Sequence, residues 1–200
     1  MPIENKVIPY KVQKGNRPKI EEVISCCLDG DLRETALNFA MYMRENKMPF
    51  KLNTSSTRSQ RADYNGERIC QIIVYDEEDW KNVWKNIRFD NVSGKHWSIS
   101  LCLTNINKYK EKIINEKLQL VFGDIIYWCK YGGQGSGKGP CDPDKSCAGG
   151  RDLTIFGDGY NGICMWLWPP VQDPDDKTIK TIKRLLELEK QARDENINEK

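Results

Sequence analysis

The chain has 200 residues, of which 38% are apolar and 30% charged, with a formal net charge of +2. That length suits one full-sized domain and is short for two. Acids and bases interleave along it, so no concentrated basic face is on offer for nucleic acid, and no apolar run approaches the roughly 20 residues that cross a bilayer.

Residues 1–16 show no period and are expected to form an extended arm. Arg17-Pro18-Lys19 opens a helix in which Ile20, Val23, Ile24, Cys27 and Leu28 recur on one face. Leu28-Asp29-Gly30-Asp31 breaks it, and Asp31 followed by Glu34 resembles a capping box for a second helix. That helix should bury Leu32, Ala36, Phe39, Ala40 and Met43 and stop near Asn46, ahead of Pro49. Tyr64-Asn65-Gly66-Glu67 signals a hairpin, because Asn-Gly tolerates the positive φ angles of a type I′ turn. The returning run from Arg68 to Tyr75 is β-branched and reads as a strand. Trp80, Val83, Trp84 and Ile87 are spaced like a short helix. From His96 to Leu103 the residues alternate, which places Trp97, Ile99, Leu101 and Leu103 inward and His96, Ser98, Ser100 and Cys102 on the other face.

Asn107 is expected to cap a longer helix in which Ile114, Leu118, Val121 and Ile125 share a face. Residues 131–150 form a Gly-rich insertion. Leu153 to Phe156 resumes a strand, Gly157-Asp158-Gly159 turns, and the chain is apolar again from Ile163 to Trp168. Asp173-Pro174-Asp175-Asp176 starts the last helix, with Asp173 as its capping acid and Ile179, Ile182, Leu185 and Leu186 as its apolar face. Residues 191–200 are almost wholly polar and are expected to fray. The sum is an α+β fold in one domain over residues 17–190: an N-terminal helical pair, a small antiparallel sheet, a long helix, a cysteine-containing hairpin and a C-terminal helix.

Eight cysteines bear on chemistry. The N-terminus lacks the charged-then-apolar form of a signal peptide, with Pro2, Glu4 and Asn5 against one, so the expected compartment is the cytoplasm. In a reducing cytosol cysteines read as buried thiols or metal ligands. Cys27 and Cys70 suit the core. Cys129, Cys141, Cys147 and Cys164 are spaced C-x11-C-x5-C-x16-C around a flexible Gly-rich stretch, and four thiolates suit a tetrahedral structural zinc. The competing readings are reduced thiols that bind nothing and a Cys141–Cys147 disulfide. Gly132 to Lys138 mimics a phosphate loop, but Gly139 replaces the Ser or Thr that would hold Mg²⁺ and Pro140 follows, so no nucleotide site is expected.

His96, the single histidine, shares a predicted strand face with Ser98, Ser100 and Cys102, and no orienting acid adjoins it in sequence. Arg58, Arg61 and Arg68 flank the first hairpin and offer guanidiniums to an acidic partner or, alternatively, protect a sheet edge. Tyr127, Trp128, Tyr131, Tyr160, Trp166 and Trp168 gather late in the chain and are candidates for a ligand pocket or a protein-binding surface.

Asp29-Gly30-Asp31-Leu32, Tyr64-Asn65-Gly66-Glu67-Arg68-Ile69-Cys70 and Thr154-Ile155-Phe156-Gly157 leading to Asn161 and Cys164 together resemble an uncharacterised family of bacterial proteins. The resemblance spans roughly residues 28–188. It implies a cysteine cluster opening at Cys129, followed by the Thr-Ile-Phe-Gly segment and a further cysteine, and it implies no activity. This chain departs from the pattern through the insertion of residues 131–140, and Gly132 stands where a second cysteine is expected, which leaves three ligands plus a substitute. The functional expectation is an intracellular ligand-binding or regulatory protein with a structural zinc and an aromatic-lined surface, its partner a small molecule or a protein. The alternatives are a protein that binds or inhibits a macromolecular partner and, last, a thiol-dependent enzyme, for which no catalytic constellation stands out.

Overall fold

The structure is a computed structural model that describes residues 18–52, 59–75, 96–118, 150–155, 158–164 and 171–198; within these, the side chains of residues 59, 75, 150–164 and 198 are not described. Its architecture is α+β. Four helices are described: α1 (Ile20–Cys27), α2 (Gly30–Glu45), α3 (Ile106–Asn115) and α4 (Asp176–Asn198). The strands are β1 (Phe50–Leu52), β2 (Ser59–Tyr64), β3 (Glu67–Tyr75), β4 (His96–Leu101), β5 (Gly150–Ile155), β6 (Asp158–Cys164) and β7 (Val171–Gln172). They form a five-stranded antiparallel sheet in the order β1-β2-β3-β4-β7 and a separate β5-β6 hairpin. The chain divides into two compact units, Met1–Ile99 with Gln172–Asp175 and Ser100–Val171 with Asp176–Lys200.

In the first unit α1 packs against α2 and β3, and α2 against β1. The predicted apolar faces are buried, Ile20, Val23, Ile24, Cys27 and Leu28 from α1 and the residue after it, and Ala36, Phe39, Ala40 and Met43 from α2, with Leu32, also expected inside, only half-buried. The start of α2 differs from expectation. Asp29, not Asp31, occupies the capping position, and Gly30 follows it at φ +52°, where a residue without Cβ is at ease. The glycine lets the chain turn into the helix two residues early. At the other end Lys47 adopts φ 62°, with the amide of Met48 donating to the Met43 carbonyl at 2.8 Å and that of Lys47 to Arg44 at 3.1 Å. This Schellman closure places an L-residue where glycine is favoured. Lys47→Gly is therefore expected to stabilise the protein by about 1 kcal/mol, read as a raised urea midpoint at unchanged slope; an unchanged or lowered midpoint refutes it.

The Asn65-Gly66 turn forms as the sequence predicts, with both residues at positive φ. Beyond it the register slips: Ala62 pairs with Cys70 but Asp63 with Arg68. Ile69 is thus an extra residue on β3, a bulge, and as a result both Ile69 and Cys70 are buried. In β4 Trp97, Ile99 and Leu101 are buried as predicted, as is Leu103 beyond it, but the opposite face is not open, since Ser98 and Cys102 are buried as well. Ser98 is 2% exposed beside the fully buried Trp97 and Ile99. The strand lies between β3 and β7 in the interior of the sheet and is covered on both faces, which alternation in sequence does not reveal.

In the second unit α3 packs on α4. The helix expected to run from Asn107 towards Ile125 is shorter and rotated. Asn105 precedes its first residue, and Ile106, Tyr109 and Ile113 form the buried face, leaving Ile114 43% exposed. Lys117 at φ 55° ends it, through bonds from Lys117 to the Ile114 carbonyl and from Leu118 to that of Ile113. Val121 and Ile125 lie outside the described residues. The longest helix among the described residues is α4. Ile179, Ile182, Leu185 and Leu186 are buried as predicted, but residues 191–198, expected to fray, continue the helix. Ala192 and Arg193 are buried, and their burial is what holds this polar stretch. Arg184 clamps Glu116 bidentately at 2.6 and 2.7 Å, a part-exposed pair worth at most about 1 kcal/mol. No helix among the described residues is long and apolar enough to cross a membrane.

Candidate functional site

Of the four late cysteines, Cys129, Cys141 and Cys147 lie outside the described residues, as do Tyr127, Trp128, Tyr131, Trp166, Trp168, Arg58, the Gly-rich insertion and the helix expected around Trp80. Cys164 is the last residue of β6 and pairs in register with Gly150, the first of β5. Tyr160 pairs with Leu153, and between these two pairings the hairpin carries one extra residue on β6, at Asn161-Gly162. Among the described residues no three metal-ligating side chains converge. Cys27 and Cys70 are buried thiols, in agreement with the core reading, and Cys102 is buried as well.

The two described arginines of the first hairpin are engaged within it. Arg61 pairs with Asp63 at 3.2 Å, and Arg68 donates to the Gln71 side chain at 3.4 Å.

His96 and Asp173 form the principal polar cluster of the first unit. Asp173 is brought to β4 by β7, and its carboxylate is divided between two partners. Oδ2 meets the imidazole Nδ1 of His96, and Oδ1 accepts from the Trp97 amide at 3.0 Å. The Asp173 amide donates in turn to the Trp97 carbonyl at 2.9 Å. The side chain of Gln172 lies 3.4 Å from both His96 Nδ1 and Asp173 Oδ2. Asp173 therefore does not act as the expected helix cap: its carboxylate bonds β4, and α4 begins three residues later. Its φ of 41° is a left-handed conformation that Asp tolerates better than most residues, at a cost that the bonds to β4 offset. His96 and Asp173 are 17% and 23% exposed, so the pair is within reach of solvent.

A second polar cluster occupies the core of the other unit. Glu189 is fully buried on α4. Its Oε1 accepts from Thr104 Oγ1 at 3.1 Å, Asn105 Nδ2 at 2.9 Å and Arg193 Nε at 2.8 Å, and its Oε2 from the Asn105 amide at 3.1 Å and Tyr109 Oη at 2.7 Å. Arg193 also donates to the Cys102 carbonyl at 3.1 Å, and Asn196 to the Asn105 side chain at 2.9 Å. Burial, reinforced by the adjacent Glu189 carboxylate, pushes the Tyr109 hydroxyl well above its ordinary range. With five donors on its two oxygens the carboxylate has little capacity left for a ligand, so the cluster's chemistry is structural.

Sequence reasoning missed both clusters. The signals present were weak ones: three acids at 173, 175 and 176 where a cap needs one, and a Glu189–Arg193 pair at helical spacing in a segment read as solvated. Comparison of the chain with protein-family models, curated proteins and solved structures finds no match.

Proposed function

We propose that the chain is a cytoplasmic binding protein in which Cys129, Cys141, Cys147 and Cys164 hold a structural zinc ion, and that Tyr127, Trp128, Tyr131, Tyr160, Trp166 and Trp168 line the surface that takes its ligand. The observation that carries this reading is the register of the β5-β6 hairpin, which pairs Gly150 with Cys164. Partners in an antiparallel ladder have Cα atoms about 4.5–5.5 Å apart. Cys147 precedes Gly150 by three residues, a chain length that spans at most about 11 Å. A tether of that length from the partner of Cys164 is short enough for the two thiols to share an ion. A closed site of thiolates would be structural and would tie this hairpin to the segments on either side. Binding of a macromolecular partner through Arg58, Arg61 and Arg68 draws less support, because Arg61 and Arg68 already bond within their own hairpin.

Metal analysis of protein purified under reducing conditions tests the zinc. One zinc per chain is expected, lost in Cys147→Ser and in Cys164→Ser, with a lower melting temperature in chelator. Reduced protein that contains no zinc and melts unchanged in chelator overturns the reading.

A further inference from the structure

We propose that Asn65 is a self-modifying site: the Gly66 amide converts it, without an enzyme, to aspartate and isoaspartate, and the folded hairpin holds the reaction back until β2 and β3 separate. Asparagine is a chemically labile residue, and glycine after it leaves the attacking nitrogen uncrowded. Here Asn65, Gly66 and Glu67 are all exposed, and the position a Cβ on Gly66 would take has no neighbour within 4 Å. The backbone of the turn is set against the reaction. Tyr64 pairs with Glu67 across a two-residue loop, and Asn65 sits at φ 53° in the left-handed region, where ψ is about +47°. At that ψ the Asn65 Cβ and the Gly66 nitrogen lie on nearly opposite sides of the Cα–C bond, whereas closure of a five-membered ring needs them nearly eclipsed. Reaching that geometry turns the peptide plane over, which the Tyr64–Glu67 pairing does not permit. Asn65 also has a further interaction in the folded chain, and the gate leaves it intact until the hairpin opens.

In the open hairpin the Gly66 main-chain nitrogen attacks Asn65 Cγ. A carbon–nitrogen bond forms, the bond from Cγ to the side-chain nitrogen breaks, and the displaced proton leaves with that nitrogen as ammonia. Water then opens the cyclic imide, giving isoaspartate by attack at the main-chain carbonyl and aspartate by attack at the side-chain carbonyl. One water is consumed, one ammonia is released, and nothing is oxidised or reduced. Either product adds a negative charge to a turn that already carries Asp63 and Glu67. Isoaspartate also runs the main chain through Cβ and lengthens the loop by one atom, which breaks the fixed loop length on which hairpin register depends. The modified hairpin does not reclose in register, and β3, on which α1 packs, loses its ordered neighbour.

Peptide mapping after incubation at mildly alkaline pH tests the site. Trypsin releases residues 62–68, in which Asn65 is the single asparagine, and chromatography with mass spectrometry separates the aspartate and isoaspartate forms. In the chain unfolded by guanidinium, Asn65 is expected to convert alongside Asn161, the other asparagine followed by glycine, and ahead of the rest. Gly66→Ala is expected to slow it there. In the folded chain conversion is expected to be at least about tenfold slower, because the hairpin must first open. An Asn65 that converts in guanidinium no faster than asparagines followed by larger residues overturns the site, and a folded rate equal to the unfolded one overturns the gate. The isoaspartate form is expected to unfold at a lower urea midpoint than Asn65→Asp, which carries the same charge; equal midpoints overturn the effect on register. No residue of the zinc reading takes part, so Cys164→Ser is expected to leave the unfolded-state rate unchanged, and the two results stand or fall independently.

Discussion

Arg193→Ala is expected to destabilise the protein by about 3–5 kcal/mol, the usual cost of leaving a buried charge without its partner. Arg193 is 4% exposed and Glu189 0%, and the guanidinium bonds both the carboxylate and the Cys102 carbonyl. Its removal takes away the guanidinium bonded to Glu189 and a donor to the Cys102 carbonyl. Ending the chain after Lys190 deletes the same guanidinium and should cost at least as much, although the residues removed are mostly polar. Urea unfolding checks both; a loss below about 1 kcal/mol would mean that the carboxylate finds another partner. The same cluster gives a pH signature. The folded Tyr109 hydroxyl titrates above its ordinary value near 10, so the unfolded chain releases this proton first. The stability it contributes is complete below pH 10 and is lost as pH rises through the folded value. Tyr109→Phe should flatten stability against pH in that alkaline window and leave the acid limb alone.

Trp97→Ala is expected to cost about 3–5 kcal/mol through lost burial and the cavity left behind. The side chain is fully buried, and its ring lies 6.1 Å from that of Phe39, which in turn meets Phe50 at 6.2 Å and Tyr42 at 6.3 Å. Among the described residues the buried indole Nε1–H finds no acceptor, so it pays for desolvation without a bond in return. Trp97→Phe discards that donor and keeps most of the ring, so it should cost less than about 1.5 kcal/mol. Denaturation midpoints of the two variants separate the terms. Equal losses would show that the indole N–H is satisfied and that its bond, not ring volume, anchors this core.

The local elements of this protein are determined by short-range pattern. The helical spacing of Ile20, Val23, Ile24 and Cys27, the Ala36 to Met43 face, the Asn65-Gly66 turn and the Ile179 to Leu186 stripe all appear where the residues place them, because each rests on periodicity or on the φ that one residue type permits. Tertiary structure alone decided the rest. Alternation in β4 could not disclose that a strand between two others is covered on both faces, so Ser98 read as exposed. The polar residues after Lys190 read as solvated, because a buried charge is stable only with donors from elsewhere in the chain, and Glu189 obtains its own from Thr104, Asn105 and Tyr109, more than 79 residues away. The acid that orients His96 sits 77 residues downstream. In sequence Asp173 is indistinguishable from a helix cap. It reaches the imidazole only when β7 pairs beside β4 in the sheet, and such pairing is a property of the folded chain that no local pattern encodes.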